Sequence, residues 1–184
     1  GLAALDATGA GQAAAPVLAR LRDASLWVRL PAIRAAACAA DAAALPALFE
    51  LSMKPEEDGR AATLALAATT AQGADDFLYG ELKKDGAARV KAIEVLAARG
   101  PKGLIARLCD AALYADAPEA AAAAGSAWRA CLRQEEFAAA LAFTFGPLQP
   151  ARRAPFVSAL TAVAQQLPEQ ALVVKAVDAL FASQ

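Results

Sequence analysis

The sequence predicts an all-α protein: a right-handed superhelix, or α-solenoid, of about five antiparallel helix pairs followed by a terminal helix. Three observations carry that expectation. Small and apolar residues recur at helical spacing behind regularly placed arginines, clusters of Gly, Pro and Asp break the chain at short intervals, and no run alternates with period two over a strand's length. Of the 184 residues, 58% are apolar and 56 are alanine. The short side chain of alanine lets neighbouring helices approach closely without voids.

The repeat is read from three arginines that each open an alanine-rich run: Arg29, Arg60 and Arg89, at gaps of 31 and 29. Behind them, Ala32, Ile33, Ala36 and Ala37, then Thr63, Leu64, Ala67 and Ala68, then Ala92, Ile93, Leu96 and Ala97 fall on one face of a helix. The same period reaches Ala121, with Ala124 and Trp128, and then Arg153, with Phe156, Val157 and Leu160. These runs predict the second helix of each pair.

The first helices are expected at Pro16 to Leu21, Leu45 to Met53, Phe77 to Leu82, Leu104 to Tyr114 and Phe137 to Phe145. Between the members of each pair stands a turn segment: 23–25, 54–59, 83–86, 116–118 and 146–150. A sixth first helix is expected from Glu169 to Phe181. Residues 1–12 read as a frayed end or the remnant of a preceding helix, and residues 13–184 as one continuous domain, because no linker is long enough to separate two.

The turn aspartate followed by the arginine of the second helix, as in Asp23 with Arg29, Asp58 with Arg60 and Asp85 with Arg89, resembles the HEAT repeat family over roughly residues 13 to 181. The fourth repeat departs from the pattern by having Ala121 at the arginine position, and the fifth turn lacks an acid. The stretch from Ala44 to Trp128 is also similar in style to alanine-rich HEAT modules of large bacterial multidomain proteins. The resemblance implies an α-solenoid that binds other proteins, and it implies no catalytic residues.

An arginine in the first turn of a helix opposes the helix dipole, at about 0.3–1 kcal/mol, so it needs a compensating partner. The turn aspartates are the expected partners, giving a structural ladder of Arg29, Arg60, Arg89, Asp23, Asp58 and Asp85. The alternative is an arginine row that binds a ligand.

Charge is unevenly divided. Eighteen basic and nineteen acidic residues leave a formal charge of −1, which excludes a generalised polyanion binder. Yet the predicted second helices carry nine basic residues against two acidic ones. Arg34, Lys91, Arg129, Arg152 and Arg153 are therefore candidates to meet an acidic peptide or other anion, unless they are ordinary solvated positions.

Other features read as structural. The chain has no histidine, so the usual general base and commonest metal ligand are absent. Cys38, Cys109 and Cys131 are too widely spaced for a zinc knuckle or a redox pair and are expected to be small core residues. Asp75-Asp76 and Glu135-Glu136 suit helix starts, and adjacent helical positions diverge by about 100°, which argues against paired-carboxylate catalysis. Gly100-Pro101-Lys102-Gly103 lacks the preceding strand of a phosphate loop. Trp128 is expected in the core, with Phe143 and Phe145. Trp27 either caps the first repeat or offers an exposed contact.

The leading functional expectation is a noncatalytic scaffold presenting a concave helical surface to a protein or peptide, acidic ones included, with no cofactor, no metal, no nucleic acid and no membrane. The alternatives are an architectural spacer within a larger bacterial protein, or a HEAT-like enzyme such as a DNA glycosylase or bilin lyase. Self-association, if any, is expected through the terminal helix bearing Val173, Val174, Val177, Leu180 and Phe181. Gly1 in place of methionine suggests a piece of a longer protein. The compartment stays open, cytoplasmic by default and extracytoplasmic if the parent chain is secreted.

Overall fold

The computed structural model describes residues 10–166 and is helical throughout that range, with no strand among the described residues. Ten α-helices follow in order: α1 (Ala10–Leu21), α2 (Leu26–Ala39), α3 (Leu45–Ser52), α4 (Glu57–Ala68), α5 (Ala74–Glu81), α6 (Ala87–Arg99), α7 (Leu104–Leu108), α8 (Pro118–Cys131), α9 (Gln134–Phe145) and α10 (Ala154–Ala164). Short 3-10 turns lie at Ala42–Ala44, Ala111–Tyr114 and Pro150–Arg152. The stretch expected to be one helix from Leu104 to Tyr114 is α7 plus the second of these turns. Helix α1 begins at Ala10, so it enters the segment expected to be frayed. The terminal helix expected from Glu169 to Phe181 lies outside the described residues.

The helices fall into two compact units, Gly1–Glu81 and Leu82–Gln184. In the first, α1 packs on α2, α3 on α4, and α2 lies against α4. Its core is built from Leu21, Ile33, Leu48, Leu66 and Leu78, with Phe49 meeting Phe77 edge-on at 5.8 Å between ring centroids. In the second, α7 packs on α8, α9 on α10, and α6, α8 and α10 lie successively against one another. Trp128, Tyr114, Phe143 and Phe156 form its aromatic centre, with Trp128 and Phe156 in T-shaped contact at 4.7 Å. Trp128 is fully buried, as expected, and its indole nitrogen has no hydrogen-bond partner.

The register of the repeat differs from the one the arginines suggested. Ala32, Ile33 and Ala36 are buried on α2, and Ala92, Ile93, Val95 and Leu96 on α6. On α4 the buried set is Asp58, Gly59, Ala62, Ala65 and Leu66, while Leu64 is 69% exposed. The position equivalent to Arg29 and Arg89 is therefore Gly59, not Arg60, and the series continues through Ala121 and Arg153. Val157, expected on the buried face, is also exposed. The reason at Gly59 is steric. A Cβ there would overlap the Lys54 carbonyl oxygen at the end of α3, so no side chain fits, and the arginine one residue later points outward.

Matching hydrogen bonds support the corrected register in each unit. The Thr69 hydroxyl donates to the Ala37 carbonyl at 3.4 Å, and the Cys131 thiol donates to the Ala97 carbonyl at 3.2 Å. Both donors stand ten residues after their own repeat position and both acceptors eight after the preceding one. Unit by unit, second helices pack with the same stagger.

Candidate functional site

The arginines at this repeat position share one task. Arg29 Nη1 donates to the Asp23 and Ala24 carbonyls at 2.8 and 2.9 Å, just past the end of α1. Arg89 Nε donates to the Leu82 carbonyl at 3.0 Å, just past α5, and its Nη1 to the Leu113 carbonyl at 2.8 Å. Arg153 donates to the Leu148 and Phe145 carbonyls at 3.1 and 3.3 Å, at the end of α9. Each guanidinium thus binds backbone carbonyls of the turn that leads into its own helix, and their partial negative charge offsets the cation's unfavourable place at the helix start. Repeats two and four lack the arginine. There the Ser52 hydroxyl donates to the Phe49 carbonyl at 2.7 Å, and the Tyr114 hydroxyl donates to the Leu108 carbonyl at 2.6 Å.

The carboxylates are arranged differently from the expected ladder. Asp85 does pair with Arg89, at 2.8 Å. Asp23 does not pair through its side chain, which instead accepts from the Ser25 amide at 2.8 Å. Asp58 pairs not with Arg60 but with Arg29, Oδ2 to Nε at 2.7 Å, bridging α4 and α2. Its carboxylate is buried, and its other oxygen accepts from the Gly59 amide. Arg60 is exposed and has no ion-pair partner. The sequence could not show this exchange, because an aspartate two residues from an arginine looks like its neighbour's partner when the actual partner is a helix away.

The five candidate partner-binding cations are not one row. Arg34 is exposed on α2 with no partner. Lys91 pairs with Glu94 at 2.7 Å, and Arg129 donates to the Ser158 hydroxyl at 2.9 Å. Arg152 is half-buried with an unpartnered Nε, and Arg153 is committed to the backbone and stands 6.0 Å above the Phe145 ring. Of the five, only Arg34 is both fully exposed and uncommitted. Arg60, assigned to the ladder from sequence, joins it on the outward surface of the first unit.

The cysteines are not core residues. All three are free thiols: Cys38 is exposed, and Cys109 and Cys131 are half-buried. Partial burial, with Glu136 nearby, pushes the Cys109 thiol up to about 11 and raises Cys131 as well, so neither is an activated nucleophile. A cleft of about 400 Å³ in the second unit lies between the end of α6 and the starts of α7 and α9, with Cys131, Lys102, Arg133 and Glu136 at its wall. Glu136 reaches back to the Arg133 amide at 3.3 Å and so serves the start of α9. Asp75-Asp76 and Glu135-Glu136 do occupy first turns, of α5 and α9.

Among the described residues, no group of three or more His, Cys, Asp or Glu side chains is gathered as a metal site would require. No helix there is long and apolar enough to cross a membrane. No protein-family model matches the chain, and no curated protein matches it.

Proposed function

We propose that this chain is a noncatalytic α-solenoid of HEAT-repeat type that binds a protein or peptide along the exposed faces of its second helices. The observation that carries this reading is the repeated stagger of those helices. Thr69 on Ala37 and Cys131 on Ala97 make the same bond in each unit, so equivalent positions of successive helices come side by side. Stacking of this kind lays out rows of outward side chains that the core does not use, which is how repeat proteins build extended binding surfaces. Arg34, Arg60, Trp27 and Leu64 are such side chains.

Panning a random peptide library on the immobilised chain tests the reading. Enriched peptides should bind in solution and compete with one another, and binding should weaken between low and physiological ionic strength, where the screening length falls to about 8 Å. Failure to enrich any binding peptide would overturn it.

A further inference from the structure

We infer that the outward face of α2 and α4 is a docking surface for an acidic protein segment that carries apolar side chains. This rests on the peptide-binding reading above and specifies where the partner sits and what chemistry it has.

Two bonds fix the geometry. The Arg29–Asp58 ion pair ties the starts of the two helices together, and the Thr69–Ala37 bond ties their ends. The helices therefore run side by side in the same direction, with Trp27 level with Glu57 and Arg34 level with Leu64. Trp27, Pro31 and Arg34 share one stripe of α2, Glu57, Arg60 and Leu64 share one stripe of α4, and all six are exposed. Buried Ala32, Ile33, Ala36, Ala62, Ala65 and Leu66 take up the opposite faces, so both stripes look away from the core.

What stands on this face is chemically unusual for a surface the fold does not use. Trp27 is 85% exposed and Leu64 is 69% exposed, the two most exposed large apolar side chains among the described residues. Tryptophan is among the residues most enriched at the energetic centres of protein interfaces. Arg34 and Arg60 flank Leu64 with guanidinium groups that have no ion-pair partner, and Glu57 is the one acid of the six. The patch is thus net positive on a chain whose formal charge is −1. A segment with carboxylates on either side of leucine or phenylalanine complements it: the apolar side chains cover Trp27 and Leu64, and the carboxylates meet two exposed guanidinium groups that can each donate bidentately.

The test titrates the chain with a synthetic helical peptide of glutamates carrying leucine at every third and fourth position, alongside a control with lysine in place of glutamate. Tryptophan fluorescence reads the contact directly, because Trp27 is open to acrylamide and Trp128 is enclosed. The acidic peptide should shift the emission to the blue and protect it from quenching, and Trp27→Phe should remove that signal. Arg34→Glu with Arg60→Glu, and separately Leu64→Ser, should weaken binding about tenfold or more. All these side chains are exposed, so the variants should melt with the wild type. Binding that survives the charge reversal, or equal binding of the lysine control, would overturn the inference while leaving peptide binding elsewhere on the chain intact. No binding by the acidic peptide would also overturn it. Sedimentation with anionic phospholipid vesicles through these same residues would overturn it in favour of a membrane surface.

Discussion

Arg29 and Asp58 are 29 residues apart in sequence and 2.7 Å apart in space, joining the second helix of one repeat to the second helix of the next. The Asp58 carboxylate is buried, and the Arg29 guanidinium is its ion-pair partner. Removing the cation leaves that carboxylate with only the Gly59 amide and strips the Asp23 and Ala24 carbonyls of their donor. Arg29→Met should lower unfolding stability by about 3 kcal/mol in denaturant titration. A change under about 0.5 kcal/mol would show that the pair does not tie the helices together.

Arg60 gives the contrasting case. It is exposed and unpaired, so Arg60→Ala should leave the thermal midpoint of the same chain unchanged within the error of the scan. The sequence expectation of a ladder arginine at position 60 predicts a loss instead, and calorimetry on the two variants side by side separates the two assignments.

Gly59 should tolerate no side chain. Gly59→Ala pushes a methyl into the Lys54 carbonyl, and overpacking against backbone should cost about 1–3 kcal/mol. Gly80, on the exposed side of α5 with open space around it, provides the control. Gly80→Ala should be neutral or stabilising by about 0.5–1 kcal/mol, because alanine restricts the unfolded chain and suits a helix.

Trp128 and Trp27 should behave as opposites. Trp128→Ala empties the centre of the Tyr114, Phe143 and Phe156 cluster and should cost about 3–5 kcal/mol, whereas Trp27→Ala should be silent in a melt. Collisional quenching should reach one of the two tryptophans in the folded chain and both after unfolding.

Thiol chemistry supplies a pH test. Ellman's reagent near neutral pH should modify Cys38 first, with Cys109 and Cys131 lagging. Burial raises the Cys109 thiol from 9.0 to about 11, so the folded state holds its proton where the unfolded chain has lost it. The stability contributed by the neutral thiol is fully present below pH 9.0 and is lost as pH rises toward about 11. A Cys109→Ala variant should lose part of the alkaline decline in stability; an identical decline would assign it to other groups.

Much of the fold was legible because helix signals are local. Alanine-rich runs at helical spacing, broken by Asp, Gly and Pro, placed the second helices within a few residues of α2, α4, α6, α8 and α10. Trp128 could be assigned to the core because a large apolar side chain on a helix face has few other places to go. The repeat phase was legible only where the arginine was real. At position 60 an arginine of the right type at nearly the right spacing masked the glycine beside it, and the one-residue error turned the exposed Leu64 into an expected core residue.

By itself, the sequence determined that the chain is helical and where most of its described helices stand, since these follow from backbone propensity and side-chain periodicity along a single strand of residues. The tertiary structure decided which charges meet. A carboxylate's partner is whichever cation the packing of separate helices brings within about 3 Å, and that distance depends on how α2 lies against α4 and not on the single residue, Gly59, between Asp58 and Arg60. The same packing decided which cations were left over, and so put Arg34 and Arg60 beside Trp27 and Leu64 on the surface.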